Sequence, residues 1–459
     1  MLAQQAVLLV GGLSNKLFPL TSPSTPKALL NVGNQPLISF PVKLLEEGGI
    51  KDIFLICPGE SIASKIHTWT KSYSGHAHLE VRCVPEDKDS ADALRSVVPE
   101  LKGKAFILIS GDLVGDVSVK AISISHFINS ALITAVLVPR RLSPASTTKP
   151  GKAPKNVDYV GLDPKHRQLL FFKSSPESRQ DVLRLPPNAV QTLGQLEIRT
   201  DFTDVHLYIF DRQTVTELLD HRPQMTSIKQ DLVPYMVNHQ RRLQQLLSPL
   251  QPAGSLSPVQ SAKDSTTISD SLPPAPNLLA HPVMGVDAVL SGSIPSIPCH
   301  AYMAAKDCYC ARANNLHAYA DVNREVVASV HADRLLDAKL NAKHGNYVHE
   351  GVQLGSKTTV ASACMVGRGS SLGDKCSVKR SVLGANCRLG GNVKIINSVL
   401  MDGVIVDDGC HVQNSIVCNG AHLQERCSLK DTAVGPDYVV TEGSEHREAT
   451  LAKSRLASF

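Results

Sequence analysis

The side chains of this sequence best equipped by type to do chemistry are its thiols and imidazoles. Cys308 and Cys310 flank Tyr309, with His300 and His317 nearby, and sulfur with imidazole is the donor set of a zinc site. The second closely spaced ligand pair of a zinc ribbon is absent, so no metal is expected there. Eleven cysteines are an odd number. The N-terminus has neither a basic region nor a cleavage site, and residues 6–10 read as a buried strand. Reduced thiols in the cytosol are the expectation, without a disulfide framework. Among the oxygen and nitrogen groups, Asp112 has the position of a strand-end aspartate capping a turn. Gly11 and Gly12 read as turn glycines, and Lys27 reads as a surface lysine. The formal charge of +5 is spread thinly, with no dense run of Lys and Arg beyond pairs such as Arg241 with Arg242. Direct nucleic-acid binding needs clustered cations and is not expected. No apolar run approaches the roughly 20 residues of a membrane span.

The elements that must position these groups fall into two kinds. With 459 residues, 42% hydrophobic and 19% charged, the chain has the balance of a folded protein of two or three domains. From residue 1 to 247, apolar runs at 6–10, 53–57, 106–110, 133–138 and 205–210 alternate with amphipathic segments. That order predicts an α/β domain with a mostly parallel sheet covered by helices. Residues 140–157 read as an inserted surface loop, and 248–276, rich in Ser, Pro and Gln, as a flexible linker. Residues 277–346 read as a bridging segment with a helix-like stretch at 318–340.

Residues 347–459 carry the strongest periodicity. Val348, Leu354, Val360, Val366, Leu372 and Val378 recur every six residues, and after them one interval in three shortens to five as far as Val440. Two places before each aliphatic stands a small residue, among them Cys364, Ser370, Cys376, Ser381, Cys387, Ser398, Cys410, Ser415 and Cys427; Tyr438 breaks the rule. Three such hexads make one triangular coil, and coils stacked about 4.8 Å apart make a parallel β-helix with a tail. The cysteines are thereby small buried residues.

The segments 6–21 and 26–30, with Asp89-Ser-Ala-Asp-Ala-Leu94 and Ile109-Ser-Gly-Asp112, resemble the sugar-nucleotidyltransferases. The resemblance implies a nucleotidyltransferase-like, Rossmann-type sheet. It also implies nucleotide-binding roles for Gly11, Gly12, Lys27 and Asp112, with aspartates holding Mg²⁺. Against those roles stand the turn-glycine, surface-lysine and capping readings. The sequence departs from the family where chemistry would occur. Ser14, Asn15 and Lys16 replace its glycine, threonine and arginine, Asp89 replaces a glycine, and so does His206 in Asp204-Val-His-Leu-Tyr208. A lysine cannot reproduce the planar fork of a guanidinium. The implied site is vestigial, with no catalytic residues, no metal and no cofactor. The alternative is an active sugar-1-phosphate nucleotidyltransferase of the GDP-mannose or ADP-glucose pyrophosphorylase kind. Bifunctional acyltransferases share the architecture, but they need a catalytic histidine at a groove, and His349, His411 and His422 read as solvated groups on the prism face.

Residues 91–102, 226–235 and 319–326, with the seventeen-residue coils, are similar to the gamma-subunit family of eukaryotic translation initiation factor 2B. That likeness implies a left-handed β-helix and a non-catalytic, regulatory or scaffold subunit of a guanine-nucleotide exchange factor. It implies pairing with the epsilon subunit and the other subunits, initiation factor 2 as the substrate complex, and the cytosol as location. Epsilon carries a further helical domain, and only nineteen residues follow Val440, which points to gamma.

Overall fold

The computed structural model describes residues 5–11, 15–22, 25–140, 157–163, 167–174, 196–240, 243, 298–330, 332–336, 338, 340–341 and 344–453. The linker expected at 248–276, and all but the two ends of the loop expected at 140–157, lie outside the described residues.

Each apolar run of the first half forms a strand, because branched aliphatics suit a pleated surface buried on both faces. The strands begin with β1 Gln5–Leu9, β2 Asn31–Val32, β3 Gln35–Pro36, β4 Asp52–Pro58, β5 His78–Val84, β6 Ala105–Ser110 and β7 Leu113–Gly115. They continue with β8 Ile133–Pro139, β9 Asp158–Leu162, β10 Leu169–Ser174, β11 Glu197–Arg199, β12 Phe202–Asp211, β13 Cys299–Met303 and β14 Cys310–Arg312. Seven of them make one sheet, ordered β13-β8-β12-β6-β1-β4-β5. Only β12 runs antiparallel to its neighbours, so the sheet is mostly parallel, as the alternation of runs predicts. Alternate residues serve opposite faces: Val7, Leu108 and Phe210 enter one apolar cluster, and Ala6, Ile107 and Ile209 the other.

Part of the segment 277–346, read as a bridge, joins this sheet as β13. Cys299–Met303 extends the sheet beside β8, because Cys299 and Ala301 bury into the cluster that holds Ile133 and Ala135. The helix expected at 318–340 is shorter. It runs Leu316–Ala328 from Asn315, whose side chain accepts the Ala318 N–H at 2.9 Å, and stops at Ser329, where the backbone is extended.

β13 also closes two histidines into the interior. His300 Nε2 lies 2.9 Å from Ser125 Oγ, and His126 Nδ1 lies 2.9 Å from Thr134 Oγ1. Burial pushes both imidazoles down to about 4. Their unfolded value is about 6.5, so the stability that comes from keeping them neutral is complete above that pH and is lost as pH falls toward 4. The expected result is an unfolding free energy that drops between pH 6.5 and 4.5, by on the order of 2–3 kcal/mol per histidine at most. A His126→Gln, His300→Gln variant should flatten that slope when unfolding is followed by circular dichroism.

From Tyr347 onward the chain winds as a parallel β-helix of three sheets, each strand pairing with the one a coil later. The inward aliphatics Val366, Leu372, Val378, Leu383, Leu389 and Ile395 are buried along the axis. The small corner residues form hydrogen-bonded ladders. Ser381 Oγ accepts the Ser398 N–H at 3.0 Å, Ser398 Oγ the Ser415 N–H at 3.1 Å, and Ser415 Oγ the Thr432 N–H at 3.1 Å. The corner thiols donate to the next coil, as Cys387 does to the Met401 carbonyl at 3.1 Å, and burial raises that thiol to about 12. They are packing groups, not nucleophiles. The coils continue past Val440 to Leu451, because backbone pairing persists where His446 takes the inward place opposite Leu429.

One prism face is apolar on its outside. Met365, Val382, Val399 and Ile416 point away from the axis yet are buried, in a cluster with Leu17, Val32, Leu37, Tyr319, Val322 and Val326 of the α/β part. Two elements make this joint. The hairpin β2–β3 turns at Gly33, whose φ of +53° suits glycine. It donates from Asn31 Nδ2 to Asp402 Oδ2 at 2.8 Å and from Asn34 Nδ2 to the Leu383 carbonyl at 3.0 Å. The helix Leu316–Ala328 lies alongside, with Arg324 donating to the Asn397 carbonyl at 2.9 Å.

Candidate functional site

In an open α/β sheet, ligands bind beyond the carboxyl ends of the strands where the strand order reverses. Here that point lies at the ends of β1 and β6, which pair in parallel as far as Leu9 and Ser110. Asp112 follows β6, and Gly11 follows β1 with φ +75°. Gly12 and Ser14 lie outside the described residues. Asn15 and Lys16 begin a short 3-10 turn ending at Leu17.

Asp112 is buried, with 2% of its surface exposed, and both its oxygens are engaged. Arg312 clamps it in two-pronged fashion, Nε to Oδ1 at 2.8 Å and an Nη to Oδ2 at 3.0 Å. Ser110 Oγ donates to Oδ1 at 2.7 Å, and the Lys27 ammonium bonds Oδ2. Burial by itself raises this carboxyl, but Arg312 and then Lys27 outweigh it and hold it well below the usual carboxylate range. The structure thus brings Lys27 and Asp112 together, and adds Arg312, which the sequence reading missed. Arg312 comes from β14, far along the chain, and no motif marks it.

A second knot lies beside the first. Asp204 is buried and accepts the Tyr208 hydroxyl and the His206 N–H at 2.9 Å. Lys229 reaches Asp158 at 3.1 Å and Asp204 at 3.7 Å. Burial raises the Asp204 carboxyl, with Lys229 opposing. His206 has φ +56° at the register shift of β12 against β8, which is why a glycine suits this position. Burial, then Arg312 and Lys229, push its imidazole well down, so it is neutral near pH 7. Together Lys16, Arg140, Asp204, His206, Lys229 and Arg312 line a cleft of about 560 Å³. Asp112 and Asp89 are not in its wall, and Asp89 is an exposed residue at the start of the helix Ser90–Val97.

The Mg²⁺ that the nucleotidyltransferase resemblance implies needs several oxygen donors in near-octahedral array. These residues do not fit it. Both Asp112 oxygens already accept from cations, and Asp158 and Asp204 are tied to Lys229 and Tyr208. Among the described residues no group of three or more His, Cys, Asp or Glu is gathered as a metal site, and His300 bonds Ser125 instead of joining Cys308 and Cys310. The prism histidines do not converge either. His411 and His422 lie in strands of different sheets, and His422 bonds Asp407 at 2.8 Å. Among the described residues no helix is long and apolar enough to cross a membrane.

Comparison with known proteins agrees with this two-part build. Residues 5–148 match the family model "Nucleotidyl transferase", and residues 343–445 match "EIF2B subunit epsilon LbH domain", so the prism is a left-handed β-helix. The translation initiation factor eIF2B subunit gamma of Schizosaccharomyces pombe is 29% identical over 82% of this chain and 73% of its own length. That of Dictyostelium discoideum is 25% identical over 82% of this chain and 85% of its own. The Dictyostelium discoideum epsilon subunit is 24% identical over 50% of this chain and 32% of its own. The chain is therefore similar to the eIF2B subunits in joining a nucleotidyltransferase-like domain to a left-handed β-helix, and over most of its length it resembles the gamma subunits.

Proposed function

We propose that this chain is a non-catalytic subunit of an eIF2B-type complex, which exchanges GDP for GTP on initiation factor 2. The observation that carries the reading is the Arg312 clamp on Asp112, in a chain that resembles gamma subunits over 82% of its length. A carboxylate already neutralised from two sides has no free oxygen to hold the metal that would offset the charge developing in phosphoryl transfer. Gly11, Lys27 and Asp112 then keep their places as structural remains of a nucleotide cleft. Exchange itself requires no covalent chemistry, because a factor that binds the open GTPase more tightly than the GDP-bound form shifts the population toward release.

The chain's contribution in this reading is rigid surface for an epsilon-type partner in the cytosol. One end of the prism favours such contact. The strand Gln353–Leu354 is an edge of its sheet, and Leu354 is 50% exposed. The opposite end turns His446 inward. An edge strand with apolar side chains is a template for another chain.

The test is co-expression of the full chain with an epsilon subunit, followed by affinity isolation and exchange assays, together with a pyrophosphate-release assay using Mg²⁺, nucleoside triphosphate and sugar 1-phosphate. The expected result is stable co-isolation, faster exchange by the pair than by epsilon alone, and no pyrophosphate. Turnover abolished by Asp112→Ala would establish the pyrophosphorylase alternative, and a chain that ignores epsilon would end the scaffold reading.

A further inference from the structure

We infer that Asp112 is the keystone of the joint between the α/β domain and the β-helix, standing where a metal ligand would otherwise stand. The two cations it holds are not equivalent neighbours of a cleft. Each is the root of one of the two elements that grip the prism. Lys27 opens the 3-10 turn Lys27–Leu29, which leads directly into the hairpin β2–β3, where Asn31 and Asn34 bond the β-helix. Arg312 ends β14, three residues before Asn315, which caps the helix Leu316–Ala328, where Tyr319, Val322 and Val326 pack on the prism.

The two elements are also joined beyond the carboxylate. The Gly33 N–H donates to Asn323 Oδ1 at 3.0 Å, and the Tyr319 hydroxyl bonds the Asn31 carbonyl. Asp112 itself sits between β6 and β7, and β7 pairs antiparallel with β14, so the carboxylate is anchored in the body of the domain. One buried anion thereby ties both prism-gripping elements to the central sheet. A bidentate guanidinium fixes direction as well as distance, which an ammonium or a solvated ion does not. The charge that a divalent ion would bring is supplied by side chains whose backbones lead into the joint.

This inference rests on the non-catalytic reading only in denying Asp112 a metal. It does not depend on pairing with epsilon. The test is amide hydrogen exchange on the full-length chain, wild type against Asp112→Asn and Lys27→Met, each with and without Mg²⁺. Removing the anion should speed exchange on the order of tenfold, beyond the cleft, in the hairpin at 30–37, the helix at 316–328 and the prism strands at 382–383 and 399–400. Strands at 52–58 and 422–440 should not change. Lys27→Met, the milder variant, should affect the hairpin more than the helix, and it carries the test if Asp112→Asn does not fold. Faster exchange confined to 110–115 and 310–315 would overturn the inference, since it would make the ion pair local. So would Mg²⁺ protecting these segments in the wild type and not in Asp112→Asn. Pyrophosphate release is a separate readout, and its appearance would remove the non-catalytic reading as well.

Discussion

Val399→Asp should separate the two halves of this molecule while leaving each half folded. Val399 is 2% exposed although it points away from the prism axis, because the α/β part covers it in one cluster with Val382 and Ile416. The neighbouring Leu400 points inward and keeps the coil's own core. A carboxylate forced into that apolar joint loses its hydration, and the cost of about 4 kcal/mol or more exceeds what a single apolar contact returns. The coil hydrogen bonds do not involve the changed side chain. Denaturation should therefore split into two transitions, and the segment around 298–345 should become sensitive to protease. The same substitution on an adjacent face, Ile405→Asp, serves as the comparison. Ile405 is only half-buried and is not part of that cluster, so its change should cost about 1 kcal/mol or less. Equal effects from the two substitutions would mean that the apolar face is not a joint.

This joint was written in the sequence in a form that the hexad reading does not reach. The inward aliphatics declare the coil because every one of them is Val, Leu or Ile. The residue just before every third aliphatic declares which face is covered: Tyr347, Met365, Val382, Val399, Ile416 and Ala433 are all apolar, where the equivalent places on the other two sheets are mostly polar, as at Ser371, Ser377, Arg388 and Lys394, with Ile405 and Val439 the exceptions. An alternation of inward and outward residues treats all outward positions alike, so the signal emerges only when they are sorted by coil. The sheet of the first domain was legible for a simpler reason: strands buried on both faces are continuous apolar runs. β13 was not, since Cys-His-Ala-Tyr-Met lacks such a run and earns its place by pairing with β8. His206 was visible as a replaced glycine, and its φ of +56° gives the physical reason. Arg312 carried no local mark at all. Its role depends on a contact with Asp112 across 200 positions of chain, which no spacing rule can supply.

That contact also makes the sharpest energetic claim. Asp112→Ala leaves the Arg312 guanidinium and the Lys27 ammonium largely buried without their anion, at 17% and 14% side-chain exposure, and should cost about 3–5 kcal/mol. Arg312→Met leaves a fully buried carboxylate with Lys27 and Ser110 alone and should cost about 2–4 kcal/mol. The double variant removes the anion together with its main partner, so its cost should fall short of the sum of the two by at least about 2 kcal/mol. The pH dependence has a definite sign. The Asp112 carboxyl is held below its unfolded value of about 3.9, so its contribution is complete above that pH and is lost as pH falls further toward the folded value. The gap between wild type and Asp112→Ala should thus be constant from pH 7 to 5 and narrow only below about 4. A gap that closes already between pH 7 and 5 would place the titration on some other group, the acid-sensitive pair His126 and His300 being the first to test. Additive costs in the cycle would mean that Arg312 and Asp112 are neighbours without being partners. The Asp112 carboxylate would then be available after all, and both the joint and the loss of chemistry would need another cause.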